Sequence, residues 1–232
     1  MYSNTINQNH QIIQLYGNQN SKGSVIMKVL AILGSPIRRR NNEFLLNKVI
    51  QGLEDHIPKD ETVEVDFVSV QSLKVSPCIA CDRCTRIKGC VFQDDMSYLY
   101  KAFNDSDVIL FSSPLYFNSV SAQAKAIIDR CQAIFSSKYV LKDPMIDRNR
   151  KRLGLFISTA GVDMNDDTEL FKGTLPVMDL FFRSINTEYV GNLFIGNVDR
   201  VKTSDNPEAS HAAREWGRRL VNSYSNPASS QN

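Results

Sequence analysis

Three stretches of this chain, KVLAILG (28–34), DVILFSSP (107–114) and RLGLFISTAG (152–161), are apolar almost end to end and are punctuated by Gly, Ser or Pro. A strand with apolar side chains at every position has no face to give to water. It must be covered on both sides, which is the condition of a strand in a parallel sheet. The intervening segments supply the covers. NEFLLNKVIQGLED (42–55) spaces Phe44, Leu45, Val49 and Leu53 at helical intervals, and VSAQAKAIIDRCQAIF (120–135) is strongly amphipathic. TVEVDFVSV (62–70) alternates as an edge strand does, and TEYVGNLFIG (187–196) predicts a fifth strand. Three further segments read as helices. They are DDMSYLYKAFND (94–105) with an Asp cap, DTELFKGTLPVMDLFFRSI (167–185) kinked at Pro176, and NPEASHAAREWGRRLVNSY (206–224) with Asn206 as N-cap and Pro207 first. Strand and helix alternate, so the expected fold is α/β: a five-stranded, doubly wound parallel sheet in a single domain.

At 232 residues the chain is long enough to bury a core without staples. A net charge of +2 gives no overall attraction for an acidic polymer, and no nucleic-acid partner is expected. No apolar run reaches the roughly 18 residues of a membrane helix, so no membrane partner is expected. The N-terminus lacks the charged and apolar regions of a signal peptide. The expected compartment is therefore the reducing cytoplasm, where structural disulfides are rare. Residues 1–26, rich in Asn, Gln and Ser, and residues 225–232 read as disordered tails around a folded domain at 27–224. Met27, directly before the first strand, is a candidate start.

In doubly wound sheets ligands sit outside the carboxyl ends of the strands, near the reversal of strand order. Three loops meet that description. GSPIRRRNNE (34–43) leads a buried strand into a helix N-terminus, where free N–H groups and the helix dipole favour an anion. Ser35, Asn41 and Asn42 can donate hydrogen bonds to a phosphate, and Arg38, Arg39 and Arg40 add charge; the competing reading is a plain turn with solvated arginines. Neither GxGxxG nor GxxxxGK[ST] is present. SSPLYFNSVSAQAKAIIDR (112–130) sets Tyr116 and Phe117 where strand passes to helix, a place suited to a flat heteroaromatic ring and equally to packing. STAGVDMNDD (158–167) offers Thr159, Ala160 and Gly161, small enough for backbone to approach a ligand.

Four of the five cysteines lie in PCIACDRCTRIKGC (77–90), as CxxCxxCxxxxxC: Cys78, Cys81, Cys84 and Cys90. A cubane cluster needs four thiolates around a small volume, and two-residue gaps let one loop wrap three corners, as in the ferredoxin CxxCxxC run. Gly89 lets the chain turn back to Cys90. Zinc sites more often use two separated CxxC pairs. A 4Fe–4S cluster, free thiols and zinc all remain open on the residues alone. Cys131, on an amphipathic helix, reads as a small core residue. Asp94 and Asp95 read as helix caps, and the basic stretch 137–152 as a solvated loop or a contact for phosphate or an acidic partner. His10, His56 and His211 are scattered and read as surface residues.

In their order, GSPIRRRNN, PCIACDRC…GC…DDM, SSPLYFNSVSAQAKAIIDR and STAG resemble the flavodoxin-fold NAD(P)H-dependent FMN reductases, in particular the iron–sulfur flavoprotein branch, over about residues 27–224. The resemblance implies a flavodoxin-like sheet and FMN as cofactor. Ser35, Arg38, Asn41 and Asn42 would hold its phosphate. Pro114, Leu115, Tyr116, Phe117, Asn118, Thr159, Ala160 and Gly161 would line its ring. Cys78, Cys81, Cys84 and Cys90, in a compact loop at 77–93, would hold the 4Fe–4S cluster. It also implies a homodimer or homotetramer with FMN near a subunit interface. The first loop departs from the family's GSPRxxGNT: Ile37 replaces Arg, Arg40 replaces Gly and Asn42 replaces Thr, with Arg38 one place along as the substitute guanidinium.

The expected function is that of an FMN-dependent oxidoreductase passing electrons between FMN and the cluster, with a ferredoxin-like electron donor. The alternative is a cluster-free reductase with NAD(P)H as donor and a quinone, nitro compound or other small molecule as acceptor. A non-catalytic redox or metal sensor is the third reading. No catalytic acid or base is assigned, since flavin redox chemistry asks for none here.

Overall fold

The computed structural model describes residues 25–164 and 168–225. Among these residues β1 (Val25–Leu33), β2 (Glu61–Ser69), β3 (Val108–Pro114), β4 (Leu153–Thr159) and β5 (Glu188–Ile195) form one sheet in the order β2-β1-β3-β4-β5, every neighbouring pair parallel. Helices α1 (Asn41–His56), α2 (Met96–Asp105), α3 (Ala122–Arg130), α4 (Gln132–Tyr139), α5 (Leu175–Ser184) and α6 (Pro207–Ser225) cover it. This is the flavodoxin-like doubly wound order, and its reversal falls between β1 and β3.

The apolar runs divide their side chains between two cores. Leu30 and Ile32 of β1 face one way with Ile109, Phe111 and Phe156, against Leu99 and Phe103 of α2, Ile127 of α3 and Phe181 of α5. Val29, Ala31 and Leu33 face the other way with Leu110, Leu155 and Ile157, under Leu45 and Val49 of α1 and Leu220 of α6. Each fully buried side chain of this size contributes about 1.5–3 kcal/mol of burial free energy, which is why the central strands admit no polar alternation. β2 and β5, at the edges, are only partly buried.

Several boundaries differ from the sequence reading. β1 starts at Val25, so Val25 and Ile26 belong to the sheet rather than to a tail, and Ser225 closes α6. The rest of the two expected tails, 1–24 and 226–232, lies outside the described residues. The helix expected over 120–135 is two helices, α3 and α4, meeting at Cys131; Ser121 caps the first by accepting from Ala124 N–H. Pro176 does not kink a helix. It sits in the first turn of α5, where its missing N–H has no intrahelical acceptor to lose. Asn206 caps α6 as expected, accepting from Ala209 N–H at 3.0 Å.

Candidate functional site

The three loops singled out in the sequence meet at the carboxyl ends of β1, β3 and β4. Ser121 Oγ donates to Gly34 O at 2.6 Å and ties the second loop to the first. Leu115 N–H donates to Thr159 O at 2.9 Å and ties the second to the third. Ser35, Asn42, Thr159 and Ala160 are buried, whereas Tyr116 is 45% exposed and Phe117 wholly so.

In the first loop the polar groups already have protein partners. Asn42 Nδ2 donates to Thr159 Oγ1 at 2.8 Å, and Ser112 Oγ donates to Asn42 Oδ1 at 3.0 Å, so this side chain stitches α1 to β3 and β4. Asn41 Oδ1 accepts from Thr203 N–H at 3.0 Å. Ser35 Oγ turns back on its own loop, donating to Ile37 O and accepting from Ile37 N–H. The Arg38 guanidinium lies over the Phe67 ring and pairs with Glu43 at 2.9 Å, and Glu43 Oε2 also accepts from Arg39 N–H at 2.6 Å. Burial pushes the Glu43 carboxyl up, but these hydrogen bonds outweigh it and hold the group below the usual carboxylate range. The left-handed residue of the loop is Arg39 (φ 57°), not Arg40, whose φ is −128°. The Gly-to-Arg departure at 40 therefore carries no positive-φ strain. Arg39 and Arg40 are exposed at the mouth of α1 and have no ion-pair partner among the described residues.

The aromatic loop is a two-residue turn. Tyr116 and Ser119 exchange N–H···O bonds at 2.8 and 3.0 Å, with Phe117 and Asn118 both left-handed (φ 49° and 57°). That turn projects the Phe117 ring into solvent. It is held from below by Thr174 Oγ1, which donates to Asn118 O at 3.1 Å. In the third loop a Cβ on Gly161 would stand 2.2 Å from the Asp199 carboxylate. A side chain at 161 would have to displace the exposed Asp199 carboxylate, which, absent from the sequence reading, joins the rim.

The cysteine loop leaves β2 and returns at α2 through a closed neck. Asp95 Oδ2 accepts from Lys74 N–H at 2.7 Å, and Asp94 Oδ2 accepts from Ser76 N–H at 3.1 Å. Asp95 is the N-cap of α2 but makes no side-chain cap hydrogen bond, so the expected Asp cap is not formed there; Asp94, one place earlier, accepts from Met96 N–H at 3.2 Å instead. The clamp itself is Arg130, 2% exposed. It binds Asp94 with both arms at 2.7 and 3.0 Å, donates to Ser76 O at 2.8 Å and covers the Phe92 ring. Burial raises the Asp94 carboxyl, but the Arg130 contact wins and holds it low. Sequence reasoning missed this role. The signal was present: Arg130 stands three residues after Ile127 and four before Ile134, on the buried stripe, where a charge demands a partner.

Within the loop Ala80, Asp82 and Gly89 have positive φ (51°, 55° and 107°), winding the chain just ahead of Cys81, Cys84 and Cys90. All four thiols are unpaired. Cys78 and Cys81 are exposed, while Cys84 and Cys90 pack against the core, with Cys84 Sγ 3.5 Å from Ser136 Oγ of α4. The donor chemistry fits an iron–sulfur cluster. The placement does not draw it closed: among the described residues no three His, Cys, Asp or Glu side chains gather as metal ligands. Cys131 is buried in the core, as expected.

The reversal of this flavodoxin-like sheet is thus flanked by a helix mouth suited to anions, an exposed aromatic turn and a loop of small residues, the place where doubly wound sheets bind ligands. The sequence matches the NADPH-dependent FMN reductase family over residues 27–167, and the chain belongs to that family. An Archaeoglobus fulgidus iron–sulfur flavoprotein is 36% identical over 133 residues, covering 57% of this chain and 62% of that protein. The iron–sulfur flavoprotein MJ0731 of Methanocaldococcus jannaschii is 33% identical over 150 residues, covering 64% and 69%. The chain thus spans about three-fifths of the length of the Archaeoglobus relative. Among solved structures, the FMN-dependent NADH-azoreductase of Bacillus anthracis in complex with FMN superposes with a TM-score of 0.61 at 14% identity, covering 84% of this chain and 99% of that one. At that identity the likeness speaks for the fold. Among the described residues no helix is long and apolar enough to cross a membrane.

Proposed function

We propose that this chain is an FMN-dependent oxidoreductase that passes electrons between FMN and a 4Fe–4S cluster held by Cys78, Cys81, Cys84 and Cys90. The observation that carries this reading is the position of α3. Its N-cap, Ser121, ties the flavin-side loops together, and its last residue, Arg130, clamps the cysteine loop. Nine residues at 1.5 Å each separate the two ends by only about 13 Å. Bound FMN exchanges electrons in pairs or singly and a cluster singly, so the two together join a two-electron couple to a one-electron chain.

The protein's part is to bind and orient. The exposed Arg39 and Arg40 and the N–H groups at the mouth of α1 receive the phosphate, with Ser35, Arg38, Asn41 and Asn42 shaping that mouth. Pro114, Leu115 and the turn at Tyr116, Phe117 and Asn118 bound the ring on one side, and Thr159, Ala160 and Gly161 on the other. The fully exposed Phe117 ring suits the proposed homodimer or homotetramer, in which a second subunit covers the flavin. A ferredoxin-like donor suits the exposed Cys78 and Cys81 end of the loop.

One observation favours a second reading. The thiols do not converge among the described residues, as expected of a cluster-free reductase taking electrons from NAD(P)H. Purification without oxygen, followed by FMN, iron, acid-labile sulfide and zinc analysis of one sample, separates the two. About one FMN with about four irons and four sulfides per chain is the expected result. Flavin without iron would replace the first reading by the second.

A further inference from the structure

The other end of the sheet, away from the flavin-side loops, carries an open basic depression. A cleft of about 520 Å³ opens where β4 and β5 begin. Six cations line it: Lys138 at the end of α4, Arg148, Arg150, Lys151 and Arg152 on the approach to β4, and Arg183 near the end of α5. Glu188 is the one carboxylate side chain in the lining. Arg150 is taken by Asp107 at 2.7 Å, Arg183 by Asp179 at 3.1 Å, and Lys151 lies 3.7 Å from Glu188. The Asp147 carboxylate is turned to Asn149 N–H.

Among the described residues three of these cations have no carboxylate in contact. Lys138 lies over the Tyr139 ring, Arg148 is exposed, and Arg152 is 1% exposed. Arg152 donates only to oxygens of neutral groups, Asp147 O, Arg150 O, Asn104 O and Asn104 Oδ1. Its Nε is buried with no acceptor at all. Burial and the like charge of Arg150 push its pKa down, while Asp147, Asp107 and Asp105 oppose that from a distance. A buried guanidinium whose Nε lacks an acceptor, and which carboxylates reach only from a distance, gains from an anion that joins it.

We propose that this cleft binds a small anion carrying two or more phosphate groups. The cleft is shallow and open, and its volume of about 520 Å³ leaves room for a small anion. Guanidinium forks match phosphate oxygens, and three cations with no carboxylate in contact exceed the charge of about −2 that one phosphate supplies. The site lies at the amino ends of the strands and does not depend on the flavin reading. Pyrophosphate carries the charge alone; a nucleoside diphosphate adds a base for which the half-exposed Tyr139 ring is the neighbouring platform.

The test is calorimetric titration of the full-length protein as purified, with inorganic pyrophosphate and with ADP, each against potassium chloride of matched ionic strength. Saturable binding is expected for pyrophosphate, at least tenfold weaker in R148E/K151E and unchanged in K59E, an exposed charge reversal before β2. Equal affinities assign the site to the phosphates, and tighter ADP adds the base. Heat that follows ionic strength alone, or a loss as large in K59E as in the double variant, overturns the proposal. Both variants alter exposed side chains, and far-UV circular dichroism verifies that each is folded.

Discussion

Asn42 shows how a residue can be found in the right place by sequence and still do something the sequence does not state. A polar residue at the mouth of a helix after a buried strand reads as a phosphate donor. In the structure its amide spends one group on Thr159 and the other on Ser112, from two different strands. Those partners lie 117 and 70 residues away, so no local pattern carries them. Asn42→Ala strips two buried hydroxyls of their main partner. The expected loss is about 1–3 kcal/mol of stability, read as a lower urea midpoint with unchanged slope; an unchanged midpoint would remove the stitch from the account. Glu43 was missed for a related reason. An acid in a first helical turn looks like ordinary dipole complementation, and only the fold brings Arg38 and the Arg39 N–H onto it.

The elements were legible where the apolar period is strong and less so where one residue changes the chain's course. The break at Cys131 interrupts an amphipathic stripe that continues on both sides, so periodicity alone runs the two helices together. Pro176 reads equally as a kink or a first-turn residue, and the preceding turn at 168–171 decides for the second. The cysteine loop has no period at all; its spacing tells of chemistry and not of the clamp that shapes it. Arg130 makes that clamp testable. Arg130→Met leaves the half-buried Asp94 carboxylate without its cation, though with two backbone N–H donors, at an expected cost of about 1–3 kcal/mol, and Arg130→Lys, which keeps charge but loses the fork, should fall between. Denaturation gives the cost, and iron content of the same anaerobic preparation shows whether an opened neck also loses metal. A wild-type midpoint in Arg130→Met would show that the loop is held by something else.

For the whole molecule, alternation of buried strands with amphipathic helices was enough to predict five strands in one parallel sheet. It could not give their order, because β1 pairing with β3 is a matter of which face each helix crosses. The two carboxyls at the functional end give the molecule a pH signature. Asp94 and Glu43 are held below their unfolded values of about 3.9 and 4.3. Depressed folded values mean that their contribution is complete above those unfolded values and is lost as pH falls through the lower folded ones. Stability should therefore decline below about pH 4, less steeply in Asp94→Asn and Glu43→Gln than in wild type; parallel acid limbs in all three would count against the linkage. The closed neck carries a further consequence. Lys74 meets Asp95 and Ser76 meets Asp94, so the chain departs from and rejoins the sheet scaffold at almost one point. A segment entered and left through one doorway is a cassette. Its outer end at Cys78 and Cys81 can be altered without moving a strand, whereas Cys84 and Cys90, packed against the core, fix its inner end to the scaffold.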